Sequence, residues 1–453
     1  MKIENIEKWS FNYAMLKAYS MFWHNQFFYK EVVIIGKENL PKDEHLIFTP
    51  NHQNALMDAA AMFSAIDTQL VFMGRSDIFK NPIIAKFLIF LKILPIYRIR
   101  DGFESLKKNT DVFQKTIDVI KNKNGLVILP EGSHDIHRRL RPLKKGFARI
   151  AFQTEEANNF TLDTKIIPIG IDYSNFEDLR STLLIVFGKP LPVSDYYELY
   201  KETPVKAINQ LTSDLSEHIK PLIVNIESEE FYDLYNELRE IYKYRMCDKL
   251  SLQNCKHPNK LKADQELIRV LNKFEKGHHE EMSELQKLVV SYNKKLRKSG
   301  FSNGLINSGY GNLAGMLMLS VFLILTIPLF LYGFINNILP FQLPIKITKK
   351  KVKDTQFISS FMYVLFMVMF PVFYLIQTLI VLVFSSWQIA IIYLVSLPIL
   401  GTFAWWYSFK YKKMVMKWRF FFKKRSKNKK IMNLIKDQAD IISKIDEILI
   451  KFA

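Results

Sequence analysis

Between Glu31 and Phe187 the chain alternates short, continuous apolar runs with longer amphipathic ones. Val32–Gly36, Leu46–Phe48, Leu70–Met73, Gly125–Leu129, Lys165–Ile171 and Leu183–Phe187 read as strands. Their length and their Val, Ile, Leu and Phe content suit strands buried on both faces. Ile83–Ile93, ended by Pro95, and then Asp111–Lys121 and Leu143–Thr154 carry the helical period. Strands alternating with helices predict an α/β fold, its sheet covered on both faces and its sites at the strand ends. Ahead of this region, Trp9–Tyr29 is rich in aromatic residues but broken by Asn12, Lys17, His24 and Asn25. It is too polar to span a membrane. It predicts either a helix lying at a lipid interface or a first helix packed on the domain.

The pattern changes twice further on. Lys206–Leu296 shows no strand signal and predicts several charged amphipathic helices, among them Leu261–Lys273 and Glu280–Leu296. Then come three apolar runs of spanning length, Leu313–Ile335, Ser359–Phe384 and Gln388–Phe409. Only Ser385–Trp387 separates the last two, which forces them into a hairpin. Basic residues flank its ends, Lys346, Lys349, Lys350, Lys351 and Lys353 before it and Lys410, Lys412, Lys413 and Lys417 after it. The positive-inside rule puts both ends in the cytoplasm. Lys294, Lys295, Arg297 and Lys298 precede the first run, so Leu313–Ile345 is expected to enter and return, turning at Asn336–Asn337 or at Pro340. The tail from Lys427 predicts an amphipathic helix, Ile431–Ile450, on the membrane surface. The expected divisions are 1–30, 31–205, 206–300, 301–425 and 426–453.

Composition narrows the partners. A net charge of +19 and a pI near 9.5 call for anionic ones: nucleic acid, a membrane surface or phosphorylated substrates. A hydrophobic share of 49% with 36 Phe tells against a nucleic-acid binder, because the aromatic and basic residues interleave along the membrane runs and not along a groove. Cys247 and Cys255 are too few for a disulfide framework and read as a reducing compartment. Their spacing to His257, His278 and His279 matches no familiar zinc site, so no metal is expected. The N-terminus shows no cleavable signal peptide.

The candidate chemistry centres on Thr49–Asp58, where His52 follows a buried strand and Asp58 stands six positions on. An imidazole can take a proton from a hydroxyl, and a carboxylate can fix its tautomer. Alone, the pair fits better a loop histidine bonded to backbone, with Asp58 capping the following helix. No Ser or Cys nucleophile lies in the stretch, which suggests direct attack by a substrate hydroxyl.

Three further blocks follow in order: Leu94–Asp101, with Arg98 and Arg100; Leu129–Asp135, with Glu131, Gly132 and Ser133, continuing to Pro142–Gly146; and Ile166–Ile171 around Pro168. The set resembles the glycerophospholipid acyltransferase superfamily. The five-residue gap between His52 and Asp58, the Arg98 block and the Ser133–Asp135 continuation look like the fungal-type glycerol-3-phosphate/dihydroxyacetone-phosphate acyltransferases and their bacterial relatives. A single Gly132 stands where the fungal group has two glycines, and Lys206–Leu296 does not align. The resemblance covers roughly residues 30–195.

It implies an α/β acyltransferase domain, a central mixed sheet flanked by helices, followed by a helical segment and C-terminal transmembrane helices. It makes His52 the base and Asp58 its orienting carboxylate. Arg98 becomes a phosphate clamp with Arg100 beside it, Glu131, Gly132 and Ser133 line the acceptor site, and Lys144 is a second phosphate ligand. Backbone N–H groups near His52 are expected to hold the oxyanion. No cofactor is needed, since a thioester is already activated. The expected reaction moves an acyl group from acyl-coenzyme A or acyl carrier protein to glycerol 3-phosphate. 1-Acylglycerol 3-phosphate stands as the alternative acceptor, and a lipid-binding scaffold as the alternative class. The expected location is a membrane, bacterial inner membrane, with the catalytic domain on the cytoplasmic face and anionic lipids as partners.

Overall fold

A computed structural model describes residues 5–97 and 109–452. The chain forms two compact units, Met1–Asn225 with Lys351–Val364, and Ile226–Lys350 with Leu365–Ala453.

The first unit opens with α1 (Phe11–Phe22), capped by the Ser10 side chain, which runs into a π-helical turn, Trp23–Phe28. Strands β1 (Glu31–Ile35) and β2 (Leu46–Pro50) then precede α2 (Leu56–Ala65). After β3 (Val71–Arg75) come α3 (Pro82–Phe90), β4 (Ile93–Ile96), α4 (Asn109–Lys121) and β5 (Leu126–Val127). α5 (Gly146–Ala157), β6 (Lys165–Tyr173), β7 (Thr182–Phe187), β8 (Leu191–Pro192), α6 (Tyr197–Glu202) and α7 (Pro204–Ile219) complete the unit's main run.

The strands form one mixed sheet in the order β1-β7-β6-β2-β5-β3-β4, with β8 also on β6. β6, β2, β5, β3 and β4 run parallel, and β7 lies antiparallel to β6. The parallel neighbours place their carboxyl ends along one edge, where an α/β sheet presents its sites.

Two prolines sit inside strands, and register explains both. Pro168 stands in β6 where its partner on one side changes from β8, which ends at Ile166, to β7, which begins at Ile169, so no ladder bond needs its missing N–H. Pro95 does not end a helix as its position suggested. α3 stops at Phe90, and Pro95 lies in β4, an edge strand with one side free of a ladder partner.

α7 was grouped by its lack of strand signal with the charged helices that follow it. Its stripe Ala207, Leu211, Leu215 and Ile219 instead closes the core of this unit, with Phe147 and Ile150 of α5.

His24 is fully buried in the π-helical turn, its Nδ1 against Asn25 Oδ1 at 2.6 Å. Burial pushes its pKa down to about 4 from 6.5. A depressed base means that the unfolded chain takes up the proton first. The stability this confers is complete above about pH 6.5 and is lost as pH falls toward 4, about 3 kcal/mol in all. Thermal melts from pH 7.5 to 4.5 should show a steeper acid loss in wild type than in His24→Phe.

The second unit contains α8 (Tyr232–Lys249), α9 (Asn259–Glu275), α10 (His279–Ser299) and the short α11 (Asn303–Ser308). Then follow α12 (Leu313–Leu325) and α13 (Ile327–Lys351). α14 (Ile358–Phe384) begins in the first unit and continues in the second. α15 (Trp387–Arg425) and α16 (Lys429–Phe452) end the chain.

The tail helix α16 does not leave its stripe free for a membrane surface. Ile431, Leu434, Ile441, Ile445 and Leu449 are buried, Gln438 bonds Tyr292 of α10, and Asp446 pairs with Lys249 of α8 at 2.8 Å. An amphipathic period says which face is apolar but not what covers it. Cys247 and Cys255, read as reduced thiols, are joined as a local disulfide. A bridge between residues eight apart needs no framework, so the count of two did not predict it.

Among the described residues, two helices are long and apolar enough to cross a membrane, Thr355–Phe384 and Trp387–Arg425. At 39 residues α15 is about 58 Å long, well beyond a hydrocarbon core of about 30 Å, so its basic end extends past the apolar part. α12 and α13 form a pair bent by 62°. The break falls between Leu325 and Ile327, not at Asn336–Asn337 or Pro340, which lie within α13.

The two asparagines are helical because their amides find partners across the helices. Tyr374 Oη donates to Asn337 Oδ1 at 2.7 Å, Tyr393 Oη to Asn336 Oδ1 at 2.6 Å, and Asn337 Nδ2 to the Leu397 carbonyl. Polar side chains among apolar helices act as such links. Gly333 makes the approach possible, since a Cβ there would stand 2.1 Å from the Leu400 carbonyl oxygen.

Candidate active site

The site grows from the carboxyl end of β2. Asn51 locks the exit to β6, its Oδ1 accepting from Ile171 N at 2.6 Å and its Nδ2 donating to Ile171 O at 3.1 Å. His52 follows, and α2 then returns Asp58 beneath it.

Asp58 is fully buried in the first turn of α2. Its Oδ2 takes His52 Nδ1 at 2.7 Å, Gln53 N at 2.9 Å and Asn54 N at 2.8 Å, and its Oδ1 takes Tyr173 Oη at 2.6 Å. A buried carboxylate surrounded by donors fixes the imidazole with its proton on Nδ1, which leaves the Nε2 lone pair for a substrate. So Asp58 orients His52 and pins the loop before α2 through Gln53 N and Asn54 N, and it does not cap the helix, whose N-cap position is Ala55 with no side-chain bond. Ala55 joins loop to helix at φ 44°, a left-handed conformation that a non-glycine residue adopts at a cost.

Glu131 arrives from the end of β5, beside β2. Its Oε1 accepts from His52 N at 2.7 Å, and its Oε2 accepts from Arg141 N at 3.2 Å and Nε at 3.0 Å. Burial pushes its pKa up, opposed by the His52 N–H and by Arg141. Both oxygens are therefore engaged by the protein itself. Gly132 turns at φ 72°, where an added Cβ would also press on Lys144 Cγ at 3.3 Å. Ser133 is exposed, its Oγ accepting from an Arg141 amino group at 2.8 Å. Lys144 is exposed too, its backbone N–H tied to Pro130 O at 2.7 Å.

The structure thus gathers His52, Asp58, Glu131, Gly132, Ser133 and Lys144 at one sheet edge. Arg98 and Arg100 lie outside the described residues. Four backbone donors near His52 are already taken: His52 N by Glu131, Gln53 N and Asn54 N by Asp58, and Leu56 N by Ser360.

Sequence reading missed several members. Arg141 was one basic residue among many, and Tyr173 one aromatic at the end of a strand. His134 puts its ring 5.2 Å from His52 and 4.7 Å from Phe357, and burial and then His52 hold its pKa below the usual value. Most distant in sequence are Ser359 and Ser360, which open α14. Ser360 Oγ accepts from Leu56 N at 3.2 Å, and Ser359 Oγ donates to Phe176 O at 2.6 Å beside Asn54. Nothing local to residue 359 signals a catalytic loop 300 positions earlier.

Residues 31–172 match the family described as Acyltransferase. More particularly, the chain is 26% identical over 196 residues to glycerol-3-phosphate O-acyltransferase 2 of Saccharomyces cerevisiae, covering 43% of this chain and 25% of that protein. It is 23% identical over 163 residues to the 1-acyl-sn-glycerol-3-phosphate acyltransferase of Borreliella burgdorferi, covering 36% and 58%. A solved structure of the 1-acyl-sn-glycerophosphate (LPA) acyltransferase PlsC from Thermotoga maritima is similar with a TM-score of 0.32 at 18% identity, over 45% of this chain and 78% of that one. The chain spans about a quarter of the length of the yeast relatives that it matches.

Proposed function

We propose that the protein transfers a fatty acyl group from a thioester to a hydroxyl of glycerol 3-phosphate, giving lysophosphatidate. The observation that carries this reading is the His52–Asp58 dyad with Nδ1 bonded to a buried carboxylate and Nε2 left to a substrate. His52 Nε2 takes the acceptor's hydroxyl proton as that oxygen bonds to the thioester carbonyl carbon. The tetrahedral intermediate then collapses, the carbon–sulfur bond breaks, and the imidazolium returns the proton to the leaving thiolate. The products are an ester and a free thiol. Asp58 stabilises the cationic imidazole throughout.

Glu131 we assign as a positioning residue: it holds the His52 backbone and carries Arg141 with it. Arg141, Lys144 and, by resemblance, Arg98 and Arg100 supply positive charge for the acceptor's phosphate, where guanidinium forks suit phosphate oxygens. Coenzyme A or acyl carrier protein would carry the acyl group. Dihydroxyacetone phosphate and 1-acylglycerol 3-phosphate are the other acceptors; relatives named for the latter's acylation favour testing it directly.

The domain would work at the cytoplasmic face of a membrane, the bacterial inner membrane by resemblance, against anionic lipids. The basic segments before α12, at the end of α13 and along the end of α15 would all face that side. With both its flanks there, the bent α12–α13 pair enters and leaves by one face; a reagent confined to the opposite side that labels Lys349→Cys would refute this.

The deciding assay offers detergent-solubilised protein a labelled acyl-coenzyme A with each acceptor separately. Lysophosphatidate from glycerol 3-phosphate supports the reading, phosphatidate alone moves the acceptor, and no product with either coenzyme A or carrier protein donors leaves a lipid-binding scaffold. In the same assay Ser359→Ala/Ser360→Ala is expected to lower kcat about three- to tenfold with little change in KM, because an unpaired Leu56 N–H loosens the His52 loop.

A further inference from the structure

α3 has the wrong surface for a helix in water. Of its nine residues only Ala85 is buried, and Lys86 is its one charged side chain. Ile83 is 78% exposed, Ile84 48% and Phe87 54%, with Phe90 and, in the preceding turn, Ile78 exposed beside them. Scattered exposed apolar residues are ordinary, but a helix of a soluble domain turns a polar face outward. A contiguous apolar patch of this kind marks an interaction surface.

Its position says what covers it. α3 follows β3, and β3, β5 and β2 are parallel neighbours in register through Phe72, Val127 and Phe48. Their carboxyl ends share one edge, so the segment leading into α3 leaves the sheet on the side from which His52 and Glu131 leave it. Just beyond α3, Lys92 is buried and donates from Nζ to Ile6 O at 2.7 Å and Lys8 O at 2.6 Å. That ties the end of α3 to the chain entering α1, where Trp9, Phe11, Met15 and Phe22 are exposed as well. The same unit holds the first turns of α14, a helix apolar enough to cross a bilayer. Phe361 and Val364 on those turns are exposed, and Tyr363 Oη bonds Ser20 O of α1 at 2.7 Å. A bilayer crossed by α14 would therefore begin at this unit, in continuity with its apolar surface.

We infer that α3 inserts into the membrane leaflet, its apolar face among the acyl chains and Lys80 and Lys86 at the headgroups. At about 14 Å long it cannot span a core of about 30 Å, so it lies in the boundary. This sets the surface formed by α3 and α1 against the membrane, beside the sheet edge that carries His52. On the proposed acyl transfer, it brings the acyl chain to His52 out of the leaflet and not through water.

The test uses the full chain carrying Phe87→Cys, labelled with an environment-sensitive maleimide fluorophore, in vesicles of phosphatidylcholine and phosphatidylglycerol. Wild type, its two cysteines bridged, is the labelling control. Lys121→Cys, at the end of α4 just before β5 on the opposite sheet edge, is the aqueous control. Nitroxide on lipid acyl chains should quench the label at 87, and iodide should quench only that at 121. Iodide quenching at both, or neither quencher reaching 87, would overturn insertion; the second result would mean a protein covers the patch. This readout needs no activity, so it stands apart from the reaction proposed above. The acyl route is tested by Ile84→Asp/Phe87→Asp, expected to lower kcat/KM about tenfold or more for a long-chain thioester and little for a water-soluble short one. Equal loss on both would overturn the route.

Discussion

His52→Ala is expected to lower acyl transfer about 10³-fold, within the range usual for loss of a general base, while the fold survives. Among the described residues the ring makes one side-chain hydrogen bond, to Asp58 Oδ2. Asp58 keeps three other donors, Gln53 N, Asn54 N and Tyr173 Oη, so its charge remains satisfied when the imidazole is gone. The His52 backbone N–H still bonds Glu131 in an alanine variant. Thiol release from acyl-coenzyme A, followed beside a thermal melt, separates chemistry from unfolding. A variant within about twofold of wild type would remove the proton-transfer role and favour a scaffold.

Asp58→Asn is the second. Its amide has one acceptor oxygen, and the three N–H donors at Oδ2 claim it. The amide nitrogen then faces Tyr173 Oη, which can turn its proton away and accept. The hydrogen bonds survive that exchange, and the negative charge beneath the imidazole does not. Activity should fall roughly 10²- to 10⁴-fold, mostly in kcat, with a melting temperature near wild type. Asp58→Ala is expected to unfold much more readily, because it strands buried donors at about 1–3 kcal/mol each. A large loss in Asn and a small one in Ala would contradict the arrangement.

Three of the four motif blocks were legible because chemistry constrains them locally; Arg98 and Arg100 of the fourth lie outside the described residues. A base must leave a strand end, a carboxylate must follow on the next helix turn, and Glu131 and Gly132 must turn tightly after β5. Arg141, Tyr173, Ser359 and Ser360 were not, since each acts through a partner distant in sequence and each type is common elsewhere in the chain. The asparagines of α13 misled for a related reason. Asn and Pro mark turns in water, whereas among apolar helices an amide is held by whatever polar group crosses nearby.

By itself the sequence determined most of the periods: six of the strands, though not β4 or β8, most of the helices, which runs are apolar enough for a bilayer, and which motifs cluster in the first 190 residues. Local sterics and side-chain polarity set those properties, and both act within a few residues. Only the tertiary structure decided what each face meets. It occupied Glu131 with His52 and Arg141, covered the stripe of α16, left that of α3 bare, and brought the start of α14 onto the catalytic loop. Burial and hydrogen bonding between distant segments are properties of the packed chain, and no window of sequence contains both partners.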